Sequence, residues 1–184
     1  MYEMSQELKR PDLLYFQNQL LKNFLARSTS KSDRFFPFIA IWAQNFDDVL
    51  KPNIPEFWKA EGLQSLAVFR SSWSDPKALF LAIKGGSASL NHAHMDAGSF
   101  VLERDGVRWA IDLGSQDYFY LESKNVDLWN RSQNSQRWYV FRIGPKSHNT
   151  LTLGDHHHQV AGSGKIVRFA PNGTAPGVDL DLSS

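Results

Sequence analysis

Residues 99–113 restrict the possible folds of this chain more tightly than any other stretch. Two runs of alternating residues, 99–104 and 107–113, flank Asp105-Gly106. Asp-Gly readily takes the positive φ angles that a two-residue hairpin turn needs. The register this sets pairs Arg104 with Val107, Leu102 with Trp109, and Phe100 with Ile111. Phe100, Leu102, Trp109 and Ile111 then share a face that is expected to be buried. Ser99, Glu103, Arg108 and Asp112 share the other, with Glu103 opposite Arg108 as a cross-strand ion pair. The same period of two predicts strands at 66–73 and 78–83, separated by Ser74-Asp75-Pro76, and at 138–143, 150–153 and 165–169. Residues 171–177 read as a turn-rich stretch.

Before residue 62 the apolar spacing is helical. Leu13, Phe16, Leu20, Leu21, Phe24 and Leu25 form a stripe, with Asp12 as its N-cap after Pro11. A second helix is expected over 35–50, with Pro37 in its first turn, and a short third one over 55–60, closed by Gly62. The fold class is therefore α+β. A helical segment over 1–62, resembling the end of a larger helical layer, precedes a mainly antiparallel β-sandwich region over 63–184.

Composition excludes more than it selects. A net charge of +1 gives no electrostatic reason to favour nucleic acid or acidic membranes. No run of about 18 apolar residues exists to span a bilayer, and the first ten residues lack the apolar core of a signal peptide. With no Cys in the chain, disulfides and thiolate ligands are ruled out. A metal must sit on His, Asp and Glu.

The richest chemistry lies in Asn91-His92-Ala93-His94-Met95-Asp96-Ala97-Gly98-Ser99-Phe100. On an extended backbone, His92 and His94 project to one face. An unbroken strand would aim His94 away from Asp112, so a bend is expected at Asp96-Ala97-Gly98. Downstream, Asp112 closes its strand ahead of Tyr118, and His148 sits where a loop meets a strand. His94, Asp112 and His148 together make a nitrogen-and-carboxylate set suited to zinc. His156-His157-His158, after Gly154-Asp155, read as a solvated turn.

His92-Ala93-His94-Met95-Asp96-Ala97-Gly98-Ser99-Phe100, Asp112-Leu113-Gly114 with Tyr118, Arg137 to Arg142, His148-Asn149-Thr150-Leu151 and Gln159 follow in order. This series resembles the heparinase II/III-like polysaccharide lyases over residues 65–170. The resemblance implies β-elimination at a uronic acid of an acidic polysaccharide, outside the cytoplasm. It assigns proton handling or charge neutralisation to His92, with Tyr118 at the site. It also assigns substrate contacts to Asn91, Arg137 and Arg142, and Zn2+ to His94, Asp112 and His148. One departure stands out. The family's main proton-transferring Tyr comes from the helical toroid upstream, yet the residues before 62 contain no His, and Tyr2 and Tyr15 lack matching context. The chain is expected to be a fragment or truncated homologue carrying half a site, and a poor catalyst alone.

Two other classes stay open. Cupin-type metalloenzymes also use His-x-His on a strand. They place a Glu within a few residues, however, where this chain has Met95 to Ser99, and Glu103 lies too far along. A non-catalytic carbohydrate-binding or structural β-domain would use Trp129, Trp138 and Tyr139 against sugar.

Overall fold

The computed structural model describes residues 54–183 together with Lys9, Leu14 and Tyr15. The chain divides into two compact units, Met1–Ile54 and Pro55–Ser184. Apart from Leu14 and Tyr15, the helices expected over 13–25 and 35–50 lie outside the described residues.

The described part of the second unit is mostly antiparallel sheet with little helix. Strands β1 (Phe57–Ala60), β2 (Leu66–Arg70), β3 (Phe80–Lys84), β4 (Phe100–Arg104) and β5 (Val107–Ala110) form one five-stranded sheet. Each pairs antiparallel with its neighbour in sequence. Strands β6 (Lys165–Ala170) and β7 (Gly177–Asp181) form a separate hairpin. Strand β2, between β1 and β3, buries Ala67, Val68 and Phe69, and the Phe69 ring meets Phe169 of β6 at 5.3 Å.

The helix expected over 55–60 is strand β1. A one-turn helix bears the full nucleation cost for very few hydrogen bonds. The extended form instead pairs Phe57 with Phe69 and Trp58 with Val68 along β2, with the two Phe rings 5.8 Å apart. Helix does occur after residue 62, as α1 (Tyr118–Ser123), where Asp117 caps the N-terminus by accepting from Tyr120 N–H at 2.6 Å. Residues 138–143 form no strand. Ser135 caps a 3-10 turn over Gln136–Tyr139, and Trp138 and Ile143 turn inward to a cluster with Ala88, Met95, Leu121 and Leu128. Residues 150–153 form no strand, with Leu151 and Leu153 exposed. Strand β7, beyond the turn-rich stretch, was not legible in the pattern; the Arg168–Asp179 ion pair ties it to β6.

The Asp105-Gly106 turn forms as expected, with both residues at positive φ. Arg104 pairs with Val107, and Glu103 with Arg108, whose side chains join in an ion pair. One residue further on, a bulge shifts the register, and Leu102 faces Ala110 instead of Trp109. A one-residue shift reverses which side chains share a face. Trp109 and Ile111 are consequently 68% and 50% exposed, contrary to the expected buried face, and Phe100 is also exposed.

The bend expected at Asp96-Ala97-Gly98 is present, with Gly98 at φ +82. A Cβ there would lie 3.0 Å from Leu182 Cδ1, whereas one on Gly106 would meet nothing within 4 Å. Gly106→Ala is expected to cost about 1 kcal/mol, from its φ alone. Gly98→Ala adds crowding and is expected to cost about 2–3 kcal/mol. Urea unfolding of the two variants checks the order; equal losses would show that the bend is not a packed feature.

Candidate functional site

The segment between β3 and β4 is held from within by its small and apolar residues. Ala93 and Met95 are buried. Met95 N–H donates to Ile143 O at 2.9 Å, and Arg137 Nη2 donates to Ala93 O at 2.8 Å. These anchors bracket His94, and just ahead of them the backbone turns through His92, which adopts φ +56. Left-handed backbone is uncommon for a residue other than Gly, though His is among those enriched there. The expectation that an extended His-x-His aims both rings at one place is thereby corrected: the segment is a turn, and the two imidazoles part.

His92 is exposed and lies in an aromatic cluster. Its ring is nearly parallel to that of Tyr118, 6.0 Å away. The indole of Trp129 stands perpendicular to both, 6.0 Å from His92 and 5.6 Å from Tyr118. Asn91 beside it is also exposed. Arg137 runs beneath this cluster and is only 2% exposed. Its Nη1 donates to Leu128 O at 3.0 Å. Its Nη2 reaches 3.5 Å from the Tyr118 hydroxyl, and its Nε is buried without a partner. Arg142 donates from Nη1 to Ser115 O at 3.3 Å and is half-buried.

His94 points the other way, towards His148, with the ring centres 5.3 Å apart. Asn149 positions His148 by donating from Nδ2 to Phe100 O and Ile111 O. This brings His148 Nδ1 to 2.7 Å from Asp112 Oδ2, with the His148 side chain 1% exposed. Asp112 also accepts from Ser99 Oγ at 3.1 Å and from Gly114 N–H at 2.8 Å. Nitrogen Nε2 of His148 is buried and has no hydrogen-bond partner. Among the described residues, His94, Asp96 and His148 each offer a ligand atom within 4.8 Å of the others. Asp96 was read from sequence only as part of the bend, although its i+2 spacing from His94 was a usable signal. Both its oxygens accept from Lys84 Nζ, at 2.9 and 2.8 Å. Two imidazoles with two carboxylates beside them, and one buried ring nitrogen left free, suit a divalent cation of the zinc type.

Burial, the largest influence, holds the His94 imidazole below its ordinary value of 6.5. Asp96 opposes this, while His148, Arg137 and Lys84 reinforce it. For Asp112 the largest influence is again burial, which alone would raise the carboxyl. Hydrogen bonds from Gly114, His148 and Ser99 outweigh it and leave the group below its ordinary value.

The His156-His157-His158 triplet follows the expected turn at Gly154-Asp155 but is not all solvated. With His94, Leu151 and Leu153 it lines a cavity of about 380 Å3. His157 packs on Tyr139 at 4.7 Å, and His158 Nε2 lies 2.9 Å from Leu151 O.

The described unit thus combines antiparallel sheet with an exposed histidine–aromatic cluster and a separate histidine–carboxylate group. The family described as heparinase II/III-like, C-terminal, matches residues 64–178, more than half of the chain, and the chain belongs to that family. It is a family of polysaccharide lyases. No curated protein matches the sequence.

The depressed His94 value has a consequence for stability. With its folded-state value below 6.5, its contribution is fully present above about pH 6.5 and is lost as pH falls through the depressed value. In the presence of a chelator, unfolding free energy is expected to decline below that pH, and His94→Gln to flatten the decline. Parallel pH profiles for the two proteins would contradict this.

Proposed function

We propose that this chain forms the β-domain part of a polysaccharide lyase site that acts on uronate-containing glycans by β-elimination. The observation that carries the reading is the parting of His92 from His94 within one turn. One imidazole is exposed beside Tyr118 and Trp129; the other faces His148, which contacts Asp112. Under this reading, residues before β1 are the end of a helical toroid, and the antiparallel sheets belong to a β-sandwich domain.

In the reaction, a base removes the C5 proton of the uronate. The electrons of that C–H bond form the C4=C5 double bond as the C4–O bond breaks, and the leaving oxygen takes a proton. Negative charge gathers on the sugar carboxylate, so preorganised donors beside it lower the barrier most. His92, with Asn91 next to it, meets that carboxylate, and Tyr118 passes a proton at its hydroxyl. Arg137 is too buried to touch sugar and acts from behind, by holding Ala93 and Tyr118. Arg142, half-buried and tied to Ser115, contributes positive charge at the margin.

Zinc is proposed on His94, Asp112 and His148. His148 Nδ1 and Asp112 Oδ2 lie 2.7 Å apart, close enough to share one cation. Asp96 offers an oxygen within 4.8 Å of both histidines, but Lys84 takes both of its oxygens, whereas the partners of Asp112 are His148, Ser99 and Gly114. When bound, the zinc would tie the His94 turn to the end of β5 and to His148, and so steady His92. Acidic glycans of this kind lie outside cells, which suits a periplasmic or secreted protein. No helix among the described residues is long and apolar enough to cross a membrane.

Elemental analysis of protein purified without added metal is expected to find one zinc per chain. His148→Ala and Asp112→Asn should lose it, and Asp96→Asn should keep it. A folded, metal-free wild type removes the zinc assignment; retention in Asp112→Asn with loss in Asp96→Asn moves the third ligand to Asp96.

In the full-length protein carrying this chain, His92→Ala is expected to lower turnover by about 100-fold or more while zinc content and melting temperature stay unchanged. The readout is ultraviolet absorbance of the new double bond on heparan sulfate, alginate and related uronate polymers. Purely saturated products from the wild type, or full activity in His92→Ala, would refute the assignment.

A further inference from the structure

Trp129 is 58% exposed, yet it is fixed on every side by which a loop residue can be held. Its predecessor Leu128 is buried, and Leu128 O accepts from the buried Arg137. Its successor Asn130 bonds through its side chain to Asp127 Oδ2 and to Ser132 N–H, both at 3.0 Å. Asn130 O accepts from Ser135 Oγ at 2.5 Å. The indole N–H itself donates to Glu122 Oε1 of α1 at 2.8 Å. An exposed indole on an unbraced loop would fold down onto the surface to hide its apolar faces. Here the braces keep it standing, at 87° to Tyr118 and 84° to His92.

A pyranose has a C–H face that packs on an aromatic ring and hydroxyl or carboxylate edges that seek polar partners. An upright indole beside a parallel His–Tyr pair provides both, with the stacking surface adjoining the polar groups. We infer that Trp129, held by Glu122, is the sugar-stacking platform of this site, seating the ring of a uronate residue so that its edge faces His92 and Tyr118. The inference rests on the lyase reading for what happens at that edge, but the stacking itself is a binding property. It also selects for sugars with an unobstructed C–H face, which makes Trp129 a specificity-determining residue.

The test is calorimetric titration of this chain with an alginate-derived tetrasaccharide, a heparan-sulfate-derived tetrasaccharide and a neutral cello-oligosaccharide. At least one uronate oligosaccharide is expected to bind, and more tightly than the neutral one. Trp129→Ala should weaken that binding on the order of tenfold, and Trp129→Phe by no more than about threefold. Glu122→Ala frees the indole without removing it and should weaken binding by an intermediate factor, which keeps the test open if Trp129→Ala does not fold. Binding unchanged in both Trp129→Ala and Glu122→Ala, or no binding of any of the three sugars by the wild type, overturns the inference. Turnover by the full-length protein separates it from the lyase reading. Unsaturated product formed with an unchanged KM in Trp129→Ala sinks the platform alone. Trp129-dependent binding without unsaturated product sinks the lyase reading alone.

Discussion

The guanidinium of Arg137 holds together the parts on which the site depends. It is nearly fully buried, and its hydrogen bonds go to the carbonyls of Ala93 and Leu128, with the Tyr118 hydroxyl at the edge of reach. Those contacts join the His92–His94 turn, the Trp129 loop and the start of α1, three segments that share no strand. Taking a charge out of water is unfavourable unless hydrogen bonds compensate it, and removing one partner leaves the charge buried and unmet. Each of the three segments is therefore held by the same requirement, and none can move without leaving Arg137 less satisfied. The guanidinium also stacks near Tyr118 and Trp138, which suits its weakly hydrated planar form.

From this anchor follows the division of labour between two neighbouring histidines. Ala93 O is fixed by Arg137 and Met95 N–H by Ile143, so the two peptide units flanking His94 are pinned, while the backbone turns just ahead of them at His92. His92 makes that turn with a left-handed φ of +56. One imidazole is then left in solvent among aromatic rings, and the other is pressed towards His148 and the carboxylates. A strand with the same residues would have aimed both rings together and produced a single site. The turn produces two adjoining environments, one wet and aromatic, the other half-buried and charged.

How far this was readable depends on the range of the forces concerned. The Asp105-Gly106 hairpin was legible because positive φ is a property of two adjacent residues. The Glu103–Arg108 pair was legible because it is the second pair beyond that turn, still ahead of the bulge. One residue later the bulge at Leu102 and Glu103 altered the register, and no local preference signals a bulge there. Strand β1 was misread because Phe57 and Trp58 find their partners, Phe69 and Val68, on another strand. Residues 138–143 were misread because alternation of large apolar residues also fits a turn whose Trp138 and Ile143 fill a local core.

The sequence by itself determined the chemical inventory and the local turns. With no Cys, any metal has only imidazoles and carboxylates available, and the ordered series from His92 to Gln159 carried the family resemblance. Tertiary structure alone decided which group meets which. Asp112 reaches His148 because Asn149 bridges two backbone carbonyls, Phe100 O and Ile111 O. Lys84 holds Asp96 across a strand-to-loop step, and Trp129 stands upright because Glu122 on α1 takes its N–H. These are contacts between residues separated along the chain. Their energies depend on burial and direction, which spacing in a sequence does not encode.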